Sequence, residues 1–168
     1  MKKIAVLMGS LSDQAVADKA LGVLDSYGVP CSVRVCSAHR TPGATASFAR
    51  SAEGEGFGAI ICIAGMAAHL AGAVAANTTL PVVGVPVASG GLGGMDALLA
   101  TVQMPTGIPV ATVAVGGGAN AALLCVQMLA LSDEELAGKL RAAREKMEQD
   151  TLEANRRLQQ EYPNSTAG

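Results

Sequence analysis

A three-layer α/β domain built on a doubly wound, five-stranded parallel sheet is the fold this sequence predicts, and three observations predict it. Five short apolar runs recur along the chain, each followed by a segment whose apolar residues repeat at helical spacing. The runs are nearly continuous in Val, Ile, Ala and Leu, the composition of strands covered on both faces. No repeat, low-complexity segment or internal linker divides the 168 residues, a length that suits one domain.

The elements follow in order. KIAVLM (3–8) reads as the first strand. Its basic start looks like a signal peptide, but a Gly-Ser turn and an amphipathic stretch follow at once, so a strand is the better reading. A helix is expected over 13–27. CSVRVC (31–36) reads as a buried second strand, followed by a helix over 43–55 that Pro42 opens. AIICIA (59–64), PVVGVP (81–86) and PVATVAV (109–115) supply the other strands, with helices over 67–77, 95–103 and 118–131. Successive βα units imply right-handed crossovers, and the flavodoxin-like order 2-1-3-4-5 is adopted as the commonest for such a sheet.

This domain is expected to span 1–131. The segment 132–162 carries much of the charge, and Ser132 with Glu135 has the spacing of a capping box. Leu136, Leu140, Ala143, Met147, Ala154 and Leu158 recur on one helical face. A helix of about 28 residues would be about 42 Å long, enough to overhang its own subunit and pack on a neighbour. A disordered tail is expected over 163–168.

Composition narrows the function. There is no Trp and only two Phe and two Tyr, so the core is built from Ala, Val, Leu, Ile and Met. A mean hydropathy of +0.37 with 15% charged residues suggests apolar surface buried between subunits. The net charge of −2, with no basic face, argues against nucleic acid. No apolar run is long enough to span a bilayer. Cys31, Cys36, Cys62 and Cys125 form no C-x-x-C pair and have no metal-ligand spacing, so they are expected as buried, reduced thiols of a cytoplasmic protein.

Ligands of a doubly wound sheet bind beyond the carboxyl ends of its strands. The unusual residues of the chain fall in those loops: GSLSD (9–13), SAHRTP (37–42), AGMAAHLAG (64–72) and PVASGGLGGMD (86–96). GSLSD offers a helix amino terminus that suits a phosphate, or alternatively plain capping by Ser12 with Asp13 in the first turn. In SAHRTP, Ser37, His39 and Arg40 combine a proton carrier with a planar fork of donors suited to phosphate; a capping loop with a surface arginine is the alternative. Small residues around His69 permit close backbone approach to a ligand, although a lone His among Ala and Leu is by itself more often structural. SGGLGG reads as a mobile flap or a loop pressed against ligand. No Ser-His-Asp order, carboxylate pair or metal cluster stands out, which leaves one or two imidazoles and backbone to do the chemistry.

Taken together, GSLSD, SAHRTP, AGMAAHLAG, TTLPVVGVPV, VQMPTGIPVATVAV and ANAALL resemble, in order and spacing, the PurE family of N5-carboxyaminoimidazole ribonucleotide mutases of purine synthesis, also described as the catalytic subunit of phosphoribosylaminoimidazole carboxylase. The resemblance covers residues 3 to about 131. It implies a homo-octamer with sites at subunit junctions, a small ribonucleotide substrate, and a carboxylate moved from the N5 amine to C4 without cofactor or metal. It also implies His39 as the general acid and base, with Ser10, Asp13 and Arg40, beside Ser37, holding the ribose phosphate. Ala64, Gly65, Ala67, Ala68 and His69 are implied to line the pocket around the imidazole. Functional coupling to an ATP-dependent carboxyaminoimidazole ribonucleotide synthetase would follow. SAHR with AAHL points to the mutase (class I) subtype; the alternative is direct CO2-dependent carboxylation of aminoimidazole ribonucleotide or a related nucleotide. The chain departs from the family pattern at Met66 and Ala71, where Gly and Pro are usual.

Overall fold

The structure is a computed structural model and describes residues 1–163; the tail expected over 163–168 lies, apart from Pro163, outside the described residues. Five strands, β1 (Lys3–Met8), β2 (Cys31–Val35), β3 (Phe57–Gly65), β4 (Val82–Val87) and β5 (Ala111–Thr112), form one sheet in the order β2-β1-β3-β4-β5. Every pairing is parallel, so the predicted fold class and strand order are both observed.

Alternation along the central strands divides the core. Ile4, Val6 and Met8 of β1 and Ile61 and Ile63 of β3 face α1 (Gln14–Tyr27) and α5 (Gly118–Ala130), against Ala17, Leu24, Ala122 and Val126. Ala5, Leu7, Ile60 and Cys62 face α2 (Pro42–Ser51) and α3 (Leu70–Ala75), against Phe48, Ala49 and Val74. On that side α4 (Met95–Val102) brings Thr101 against Gly84 of β4. Burying side chains of this size contributes about 1.5–3 kcal/mol each. The scarcity of aromatics is met by close approach of backbones: a Cβ on Gly118 would run into the Val16 carbonyl oxygen, so α1 and α5 touch almost backbone to backbone.

Four expectations are corrected. The second strand is not buried but is the sheet edge, with Val33 42% and Val35 51% exposed. Cys31 is exposed with it, while Cys36, Cys62 and Cys125 are buried. Burial pushes the Cys125 thiol up to about 12 and the Cys62 thiol higher still. The fifth strand is only two residues long: Val113 N–H still donates to the Gly84 carbonyl, but the chain then turns at Ala114–Gly117 instead of continuing the ladder. Finally, the long helix is α6 (Glu134–Glu161), 28 residues as expected, but its cap is Asp133, whose carboxylate accepts from Leu136 N–H at 3.1 Å. The Ser132 hydroxyl instead donates back to the Leu129 carbonyl. α6 docks on the domain through Leu136, with Leu140 partly buried, whereas Met147, Leu152 and Leu158 further along are exposed.

Candidate active site

Three loops at the carboxyl ends of β1, β2 and β3, joined by Ser89 after β4, enclose a cleft of about 460 Å³. Ser10, Asp13, Ser37, His39, Arg40, Ala64, Gly65, Ala67 and His69 all line it. Ala68, expected with them, does not. It is buried behind the wall at 2% exposure, because the turn that precedes α3 points it inward.

The loop after β1 is a single turn of 3-10 helix (Leu11–Asp13) leading into α1. Ser10, rather than Ser12, caps it: the Ser10 hydroxyl accepts from Ser12 N–H at 3.3 Å. Asp13 closes the turn from the other side, accepting from Ser10 N–H at 3.2 Å and from the Ser12 hydroxyl at 3.4 Å. Asp13 is only 5% exposed, and this burial raises its pKa, opposed by the hydrogen bonds from Ser10 and Ser12.

The SAHRTP loop is tied by its own hydroxyls. Arg40 N–H donates to the Ser37 hydroxyl at 3.0 Å, and Ser37 N–H to the Thr41 hydroxyl at 3.0 Å. The buried Thr45 donates to the Thr41 carbonyl at 3.0 Å. Pro42 occupies the first turn of α2, where its missing N–H costs nothing. The Arg40 guanidinium reaches across to the β1 loop and donates to the Gly9 carbonyl at 3.1 Å. This bond ties the SAHRTP loop to the β1 loop, so Arg40 and Ser10 line one cleft.

His39 and His69 meet in the same cleft. His39 Nε2 lies 2.8 Å from His69 Nδ1, with the rings edge to face. Two nitrogens at that distance hold one proton between them, one ring donating and the other accepting. His69 is exposed and stands at the start of α3, so it is no satisfied core histidine, the structural alternative for a lone His in this setting. Among the described residues no three His, Cys, Asp or Glu side chains come together as a metal-ligand set.

Sequence reasoning passed over Ser89 and Leu70, which also line the cleft, as does Met66, already marked by its departure from the family pattern. The signal for Ser89 was Gly65: a Cβ there would collide with the Ser89 hydroxyl, so the glycine makes room for a side chain arriving from the next strand's loop.

A doubly wound sheet with hydroxyls, a guanidinium and an imidazole pair gathered at one rim defines an α/β protein with a polar cleft at its strand ends. The family model described as AIR carboxylase matches residues 3–150, and the chain belongs to that family. A relative from Saccharolobus solfataricus named N5-carboxyaminoimidazole ribonucleotide mutase is 49% identical over 152 residues, covering 90% of this chain and 96% of that protein. A Bacillus subtilis protein of the same name is 48% identical, covering 92% and 97%. Among solved structures, Treponema denticola PurE superposes with a TM-score of 0.83 at 30% identity, covering 92% of this chain and 97% of that one.

Proposed function

We propose that this protein is an N5-carboxyaminoimidazole ribonucleotide mutase of purine biosynthesis, moving the substrate's carboxylate from the N5 amine to C4. The observation that carries the reading is the imidazole pair, 2.8 Å apart, in a cleft also lined by Arg40 and the Ser10 turn. The phosphate sits at Arg40, Ser10 and Ser37, where a charged fork and hydroxyls converge. Asp13, whose oxygens already hold the turn, accepts from a ribose hydroxyl.

The chemistry needs little more. An N-carboxylate is a labile carbamate, and C4 of an aminoimidazole is a nucleophilic enamine carbon. His39 gives a proton to N5; the N–C bond breaks, its electron pair stays on nitrogen, and CO2 is freed. C4 then attacks CO2, forming the C–C bond, and the C4 proton returns to the imidazole. One proton is given and one recovered, so no cofactor is consumed. His69 accepts from His39 and keeps the ring oriented through both steps. The small walls at Ala64, Gly65 and Ala67 keep CO2 beside C4.

Direct carboxylation is the competing reading. The test is to supply N5-carboxyaminoimidazole ribonucleotide in one assay, and aminoimidazole ribonucleotide with bicarbonate in another. Fast turnover of the first is expected; turnover confined to the second would sink the mutase reading.

Exposed apolar surfaces support an assembly of several subunits. Met95, Leu99 and Val102 form an exposed apolar stripe on α4, and the outer part of α6 carries Met147, Leu152 and Leu158 in the open. In this reading the segment 132–162, beyond the catalytic domain over 1–131, packs its helix on a neighbouring subunit in a homo-octamer of the kind expected from the family resemblance. Light scattering is expected to give a mass eight times the 16.8 kDa chain, and a monomer would refute the assembly. Such an enzyme works in the cytoplasm, where its four free cysteines stay reduced, and it takes its substrate from an ATP-dependent synthetase.

A further inference from the structure

Met66 sits where the family pattern has glycine, and its backbone shows the difference. Among the described residues it is the one non-glycine with a left-handed backbone, at φ 54. In that conformation Cβ crowds the following carbonyl. The turn it makes is fixed by the next peptides, Ala68 N–H donating to the Met66 carbonyl at 2.9 Å and His69 N–H to the Ala67 carbonyl at 2.8 Å. This turn delivers His69 to His39. A glycine would make it without crowding, so the strain is carried for the sake of a side chain, and that side chain lines the cleft.

The other apolar side chains lining the cleft are Ala38, Ala64 and Ala67, which end at a methyl group, and Leu70, which is buried at 2% exposure. Met66 is 62% exposed while lining the cleft, which places it at the rim. An unbranched thioether is the side chain best able to lie down over a bound ring and adapt to its shape.

We propose that Met66 is a retention residue: its side chain closes the rim over the bound imidazole while CO2 is free, and so decides how often CO2 reaches C4 instead of solvent. The inference rests on the mutase reading. In the step at issue the N–C bond has broken and nitrogen holds the transferred proton. Capture at C4 then gives the carboxylated product with loss of the C4 proton. Escape gives CO2 and aminoimidazole ribonucleotide, with that proton consumed.

The experiment turns over N5-carboxyaminoimidazole ribonucleotide carrying a 13C carboxylate in unlabelled bicarbonate, with spontaneous decarboxylation subtracted. Wild-type enzyme is expected to keep the label in its product. Met66→Gly is expected to raise the ratio of escape to capture about tenfold, the low end for lost apolar pocket contacts, while its melting temperature is no lower than wild type. Met66→Leu, which restores bulk, is expected to keep the wild-type ratio. Full label retention by Met66→Gly overturns the proposal. So does label loss accompanied by a lowered melting temperature, which would mark a merely structural residue. Failure of the wild-type enzyme to convert the substrate at all overturns the mutase reading, and is told apart because it needs no variant.

Discussion

His39→Asn is expected to lower turnover of N5-carboxyaminoimidazole ribonucleotide roughly a thousandfold, near the middle of the range for loss of a general acid and base, while substrate affinity changes little. The asymmetry follows from where the side chain stands. In the proposed mechanism His39 serves the substrate's imidazole while Arg40, Ser37 and the Ser10 turn hold its phosphate, and the hydrogen bonds that fix Arg40 do not involve the His39 ring. Arg40→Ala provides the opposite signature. Losing a charge-assisted contact to phosphate is expected to weaken affinity by about 2 kcal/mol, or roughly thirtyfold. Steady-state kinetics with calorimetric binding separate the two effects. A His39→Asn protein that still turns over at the wild-type rate would remove the imidazole from the mechanism, whereas a wild-type protein that binds the ribonucleotide without turning it over would be a ribonucleotide-binding protein.

The second large effect is on stability. Gly118→Ala is expected to destabilise the domain by about 3 kcal/mol, the upper end for overpacking, which lowers the melting temperature by roughly 9 °C for a chain of this size. The added methyl meets the Val16 carbonyl oxygen, backbone that cannot swing aside as a flexible side chain would. Relief therefore requires α1 and α5 to separate. Because α1 begins immediately after Asp13, that separation would also displace the Ser10–Asp13 turn and weaken phosphate binding. Thermal denaturation with and without inorganic phosphate checks both parts. An unchanged melting temperature would show that the helices are not in backbone contact.

Much of the fold was legible because the strongest signals were local. KIAVLM and AIICIA read as strands from their own residues, and both histidines were placed on the correct rim by the strand-end rule alone. What escaped depended on partners distant in sequence. CSVRVC has the apolar content of a covered strand, yet it lies at the edge, and only its place in the sheet decides that Val33 and Val35 are exposed. Asp133 took the cap from Ser132 because its carboxylate reaches Leu136 N–H, a choice between adjacent capping residues that spacing does not make. Ser89 reaches the cleft only because Gly65, in another strand, leaves space. The 2.8 Å meeting of the histidines depends on the left-handed turn at Met66, a position where side-chain type argues against that backbone.

The hydroxyl ties within SAHRTP carry one more consequence. Ser37, Thr41 and Thr45 hold the loop in place through bonds within the chain, and the bond from Arg40 to the Gly9 carbonyl fixes the guanidinium beside the neighbouring loop. Ordering a mobile side chain on binding costs about 0.5–1.5 kcal/mol, and a disordered loop costs more. Here that loss of freedom was incurred during folding. In the proposed mechanism the attraction of the phosphate for Arg40 would therefore be available to set the reacting carbon against the imidazole, the positional advantage that turns a loose encounter into an intramolecular proton transfer.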